Sequence, residues 1–162
     1  MWRKWVEMLI FNLVLGILLG IVFATITIHK KPGFNIDNIE KWKRFYYLYD
    51  RWLRLKQQNK NLSTYLKRKG YCTIAIYGGR ELALRLIDEL QGTEIEILYL
   101  VDRNKQNCLC KGKERYLPSE TLPKVDAIVV TAVYYFEEIQ ANLKPKVECD
   151  IVSLEDIVNS IE

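Results

Sequence analysis

The run Tyr71-Cys72-Thr73-Ile74-Ala75-Ile76-Tyr77 stops at Gly78-Gly79 and passes at once into Arg80-Glu81-Leu82-Ala83-Leu84. An apolar stretch rich in β-branched and aromatic residues reads as a buried strand, and Leu82, Ala83, Leu86, Ile87 and Leu90 behind it recur at helical spacing. Strand, tight turn and helix in that order point to a parallel sheet, because parallel strands need a crossover connection. The turn sets the unpaired amides of a helix start at the carboxyl edge of that sheet, where a phosphate is favoured.

The pattern repeats downstream. Gly92 stops the first helix, Ile95–Val101 reads as a second strand with Asp102 at its end, and Ala127–Thr131 as a third. Cys149–Val152 reads as a fourth. Pro118–Leu122 is expected to form a turn of helix. Tyr135, Phe136, Ile139 and Leu143 pattern a helix that Pro145 terminates, and Ser153-Leu154-Glu155-Asp156 opens the last one as a capping-box variant. The expectation is an α/β domain over residues 71–162: a small four-stranded parallel Rossmann-like sheet with flanking helices. The expected strand order is second, first, third, fourth, with a crevice beside Gly78 between the first and third strands.

Set against the dinucleotide fingerprint G-x-G-x-x-G/A, the chain offers Gly78-Gly79-Arg80-Glu81-Leu82-Ala83. The first glycine and the terminal small residue match. Arg80 replaces the second glycine, which either blocks close approach of a pyrophosphate or supplies a guanidinium fork to it. Asp102 stands where an acid would hold a ribose hydroxyl, and Arg103 could meet a ribose phosphate instead. The alternative for that pair is a solvated loop. The candidate binding set is therefore Gly78, Gly79, Arg80, Glu81, Asp102, Arg103 and Thr131, and no catalytic residue is assigned.

The segments Ile74–Ala83, Val101-Asp102-Arg103-Asn104, Val125–Thr131 and Ser153–Ile157 resemble the Rossmann-like domains of bacterial surface-polysaccharide proteins. Among these are the amino-terminal domains of nucleotide-sugar acetyltransferases of the PglD kind. The likeness covers about the last ninety residues. It implies that Gly78, Gly79 and Asp102 contact a nucleotide or nucleotide sugar, with NAD(P) as the other ligand class, and that the setting is envelope polysaccharide assembly. The β-helix that carries acetyl transfer in those enzymes has no counterpart here, so that activity is not implied.

Ahead of this domain, Met8–Ile28 contains no charged residue and is long enough to cross the hydrocarbon core once as a helix. It divides the chain into a short tail (1–7), a membrane helix (8–28) and a helical connector (29–70). A cleaved signal peptide would have a shorter apolar core, and Phe23-Ala24-Thr25 is a poor cleavage site. Lys30, Lys31, Lys41, Lys43 and Arg44 outnumber Arg3 and Lys4, which puts the carboxyl-terminal domain in the cytoplasm of a single-pass membrane protein. Gly16 and Gly20 have the spacing that lets membrane helices approach closely.

In the connector, Ile39, Trp42, Tyr46, Tyr49 and Leu53 share one helix face. That face is expected to pack on the domain itself, or else to form a short coiled coil; a homodimer could then use this helix or the membrane helix. Asn61 or Ser63 opens a further helix that ends at Lys67-Arg68-Lys69-Gly70.

A net charge of +4 with acidic residues interspersed shows no basic stripe, so nucleic acid is not expected as a partner. Cys108 and Cys110 are too close for an ordinary zinc half-site, while Cys72 and Cys149 are expected inside buried strands as free thiols. His29 is the only histidine and falls at the membrane edge, which removes the usual base for Ser/His or Cys/His catalysis. The alternative function is a scaffold with an empty ligand turn. An oxidoreductase would need a substrate domain and a proton donor that the chain lacks.

Overall fold

The computed structural model describes residues 2–29 and 36–161, which fall into two compact units, Met1–Ile39 and Glu40–Glu162. In the first unit, α1 runs from Trp2 to His29. Its stretch Trp2–Ile21 has a mean hydropathy of 1.8, so this one helix is long and apolar enough to cross a membrane. The helix takes in the residues before Met8 because neither proline nor glycine interrupts Trp2–Glu7. No heavy atom lies within 4 Å of a Cβ built on Gly16 or Gly20. Lys30 and Lys31 fall outside the described residues.

The second unit is an α/β layer structure in which every strand pair is parallel. Its strands are β1 (Thr73–Tyr77), β2 (Glu96–Val101), β3 (Glu114–Tyr116), β4 (Ala127–Val130) and β5 (Asp150–Ser153), in the order β3-β2-β1-β4-β5. The expected order of the four apolar strands is the observed one. The sheet nevertheless has five strands, not four: Glu114–Tyr116 adds to the edge of β2, pairing Tyr99 with Glu114 and Val101 with Tyr116. A three-residue edge strand reading Glu-Arg-Tyr has no apolar run to announce it. At Pro118–Leu122 the expected turn of helix is reduced to one hydrogen-bonded turn, the Glu120 amide donating to the Leu117 carbonyl at 3.0 Å.

Alternation along β1 divides the core. Ile74 and Ile76 face one layer with Leu86, Leu100, Leu154 and Ile157; Ala75 and Tyr77 face the other with Tyr99, Val101, Ile139 and Leu143. Most of these side chains are fully buried, each worth about 1.5–3 kcal/mol relative to exposure. Beside the sheet lie α2 (Ile36–Gln57), α3 (Leu62–Arg68), α4 (Glu81–Leu90), α5 (Phe136–Leu143) and α6 (Leu154–Asn159).

The connector belongs to this core. Leu48, Trp52 and Leu55 of α2 and Leu62, Tyr65 and Leu66 of α3 are buried in the layer that holds Ile74 and Leu86, so the compact unit begins about thirty residues before β1. Glu89 of α4 ties these pieces together. Its carboxylate, with only 5 % of the side chain exposed, accepts from Trp52 Nε1 at 2.5 Å and from the Leu62 amide at 2.7 Å, with Lys56 Nζ at 3.3 Å. The Leu62 amide is one that the start of α3 leaves without an intrahelical partner, and the Asn61 side chain does not cap it.

The face of α2 that packs is not the expected one. Trp42, Tyr46 and Leu53 are 72 %, 66 % and 58 % exposed, and Tyr49 is also exposed, whereas Leu48, Trp52 and Leu55 go inward with Phe45 half-buried beside them. The inward line is bordered by cations and so looks polar in sequence. Those cations are satisfied by the domain: Arg44 Nε donates to Glu155 at 2.6 Å, Arg51 donates to the carbonyls of Val158 and Asn159, and Lys41 Nζ lies 4.8 Å from the centre of the Tyr135 ring.

Two cysteines also differ from expectation. Cys72 is exposed just ahead of β1, and Cys149 is half-buried just ahead of β5, because both strands start one residue later than the apolar pattern suggests.

Candidate functional site

The carboxyl edges of β1, β2 and β4 bring Gly78, Gly79, Asp102 and Thr131 into one corner. Gly78 adopts φ +96°, a left-handed conformation in which a side chain is strained, and a Cβ there would stand 2.8 Å from Thr131 Oγ1. Its amide donates to the Val101 carbonyl at 2.8 Å. The next amide, of Gly79, donates to Asp102 Oδ2 at 2.8 Å, while Asp102 Oδ1 accepts from the Asn104 amide at 2.8 Å. Asp102 thus spends both oxygens on backbone donors of its own corner.

On the far wall, the Thr131 amide donates to the Tyr77 carbonyl at 2.9 Å. The Thr131 hydroxyl lies 3.0 Å from that same oxygen and 3.1 Å from the Gly78 carbonyl. Thr131 is 4 % exposed, so it laces β4 to the turn of β1 across the crevice. Glu81 occupies the first turn of α4. Its carboxyl is held below the ordinary glutamate pKa by its own backbone amide first and by Arg80 second, so the helix start already faces an anion. Arg80 reaches Glu81 Oε1 at 3.2 Å.

Above the turn lies a loop that the sequence pattern did not single out. The Leu109 amide donates to the Gly79 carbonyl at 2.7 Å, and Cys110 Sγ lies 3.8 Å from the same oxygen. A Cβ on Gly79 would stand 2.3 Å from Cys108 Sγ and 2.9 Å from Cys108 Cβ. Gly79 is therefore required by a close approach, but the approaching group is this chain's own cysteine. Arg115 of β3 fixes the loop from the sheet side, donating to the Lys105 carbonyl at 3.1 Å and to that of Cys110 at 2.7 Å. The twelve residues between β2 and β3 carry no pattern that announces this path over the β1 turn.

Arg103 turns away from the glycines. It pairs with Glu138 of α5 at 2.5 Å, and Glu138 first and the Tyr77 hydroxyl second raise its pKa. Of the seven candidate residues, four meet in the corner, Arg80 and Glu81 pair beside it, and Arg103 bridges to α5. The amides of Gly78 and Gly79 both have acceptors within the chain, the Val101 carbonyl and the Asp102 carboxylate. A phosphate reaching for the Gly79 amide has to displace the Asp102 carboxylate, and Cys108 closes over the same glycine.

Two open cavities lie elsewhere. One of about 370 Å³ is bordered by Lys60, Tyr65, Arg68 and Ser160, and one of about 450 Å³ by Pro123, Asp126, Lys146 and Cys149. Among the described residues no group of three His, Cys, Asp or Glu side chains is placed to hold a metal ion.

What the fold and corner define is an α/β protein with a five-stranded parallel sheet and an apolar amino-terminal helix, its glycine turn covered by its own loop. No protein family, curated protein or solved structure matches the chain.

Proposed function

We propose that the chain is a membrane-anchored interaction protein in which the Rossmann-like sheet serves as a rigid body and its ligand corner is closed. The observation that carries this reading is the filling of the Gly79 approach by Cys108, together with the capture of the Gly79 amide by Asp102. Buried donors that already have charged acceptors gain little from a new anion and lose existing bonds to it. In this reading α1 anchors the chain, and the excess of basic residues after it sets the domain on the cytoplasmic side. The surface-polysaccharide setting implied by the sequence resemblance remains part of the proposal.

Thermal melting of the full chain in detergent, with and without a panel of UDP-sugars, NAD(P) and CoA, tests it. A ligand that selects the folded state stabilises it by about 2.7 kcal/mol at one hundred times its dissociation constant and so raises the melting temperature. No shift is expected. A shift of several degrees with any member overturns the reading in favour of a nucleotide site that opens by displacement of the Cys108 loop.

A further inference from the structure

We infer that the outward stripe of α2 pairs with the same stripe of a second copy of this chain, antiparallel about a twofold axis. The inference rests on the interaction-protein reading and names its partner. Trp42, Tyr46, Tyr49 and Leu53 are separated by four, three and four residues, the spacing of a coiled-coil seam, and all four are exposed. Tyr47 buttresses the stripe edge-on, its ring 5.5 Å from that of Tyr46.

Charge decides both the occupant and its direction. A helix that lies on an anionic bilayer presents a basic flank. Here Lys41, Arg44 and Arg51 are turned into the domain, to Tyr135, Glu155 and the end of α6, and the stripe's outer flank carries both signs: Lys43, and Asp50 with Arg54 beside it at 2.7 Å, an exposed pair that leaves the second carboxylate oxygen of Asp50 for Lys43 of another copy. Lys43 and Asp50 are one heptad apart and share a flank. A twofold antiparallel pairing sets outer flank against outer flank, so that Lys43 of each copy meets Asp50 of the other, with Trp42 over Leu53 and Tyr46 over Tyr49. A parallel pairing would set that flank against Phe45 and Trp52, which are already packed into the domain. The surface is complementary to itself in one orientation.

The test is the dissociation constant of the full chain in detergent, by sedimentation equilibrium. The wild-type chain is expected to dimerise. Lys43→Asp and Asp50→Lys, each turning two attractive pairs repulsive, are expected to weaken the dimer roughly tenfold, and the double exchange K43D/D50K to restore it. A monomeric wild type, a dimer indifferent to the single exchanges, or a double exchange that fails to recover overturns the pairing. So does quenching of Trp42 by brominated lipid in nanodiscs, read as the difference between wild type and Trp42→Phe, which would place the stripe on the bilayer. A ligand-induced rise in melting temperature would instead sink the interaction-protein reading. A monomer without any ligand shift sinks only the pairing.

Discussion

Cys108 Sγ occupies the space that a side chain at Gly79 would need, 2.3 Å from where its Cβ would stand. The second glycine of the turn is therefore explained by the chain's own loop, with no ligand required to account for it. Gly79→Ala is expected to destabilise the full chain by about 1–3 kcal/mol through overpacking, measured by urea unfolding in detergent. Cys108→Gly in the same chain removes both clashing atoms and is expected to recover most of that loss. Equal destabilisation with and without Cys108→Gly would show that the two sites are not in contact.

Asp102 is the other half of the closed corner. Replacing it with alanine leaves the amides of Gly79 and Asn104 without their acceptor, at a cost of about 1–3 kcal/mol. If Asp102 served a ribose instead of its own turn, Asp102→Ala would leave the melting temperature of the ligand-free chain unchanged.

The parallel sheet was legible because strand and helix patterns alternate with strong contrast: Ile74–Tyr77, Ile97–Val101 and Ala127–Val130 are apolar in sequence and, Leu98 apart, buried in the fold. The missing edge strand was not, since Glu114-Arg115-Tyr116 is held by backbone pairing to β2 and one of its faces is solvated. On α2 two apolar lines compete, and periodicity alone ranks Trp42–Leu53 equal to Phe45–Leu55. The winner is set by acceptors on α6 and α4 for Arg44, Arg51 and Trp52, partners more than thirty residues away in sequence. The four corner residues, Gly78, Gly79, Asp102 and Thr131, were among the seven candidates picked out from the sequence, yet their hydrogen-bond partners could not be read there. Whether a glycine approaches a phosphate or a cysteine depends on a loop whose path has no local sequence code.

The cysteines give a chemical test of the loop. Burial, and then Cys108, push the Cys110 thiol up to about 11, whereas Cys72 is exposed. Because the thiolate is the reactive form, iodoacetamide at pH 8 is expected to modify Cys72 well before Cys110 in the native chain. A folded pKa above the unfolded one means that Cys110 supports the fold fully below the unfolded value, and that this support is lost as pH rises through about 11. Equal labelling of Cys72 and Cys110, read by peptide mass spectrometry, would show that the loop does not cover the corner in solution.

Asp126 predicts the acid limb. Its carboxylate accepts from the amides of Thr73 and Cys72 at 2.7 and 2.8 Å and from the Thr73 hydroxyl at 2.9 Å, and these donors, Thr73 first, hold its pKa below the ordinary aspartate value. A depressed carboxylate contributes stability that is present above its unfolded pKa of about 3.9 and is lost as pH falls through the lower folded value. The wild-type melting temperature is expected to fall below about pH 4, and Asp126→Asn to flatten part of that fall. An acid limb unchanged by Asp126→Asn would assign the loss to other carboxylates.

Glu89 carries the largest expected effect of a single substitution. Trp52 on α2 and the amide that starts α3 both donate to its carboxylate, so one buried side chain joins two helices that sequence patterning placed in the connector to a third in the sheet domain. Glu89→Ala strands the donors of Trp52 and Leu62 and removes the ion pair of Lys56, which keeps only its bond to Asn61, at a cost of about 3–5 kcal/mol. Glu89→Gln keeps the shape and one acceptor oxygen, so it satisfies one donor and is expected to cost less than the alanine. Because Trp52 reports directly on the bond, a change in its fluorescence should accompany unfolding in the wild type and already be present in folded Glu89→Ala. Should Glu89→Ala melt with the wild-type midpoint and spectrum, α2 and α3 would not be held by this carboxylate. The unit that folds with the sheet would then start nearer β1 than Glu40.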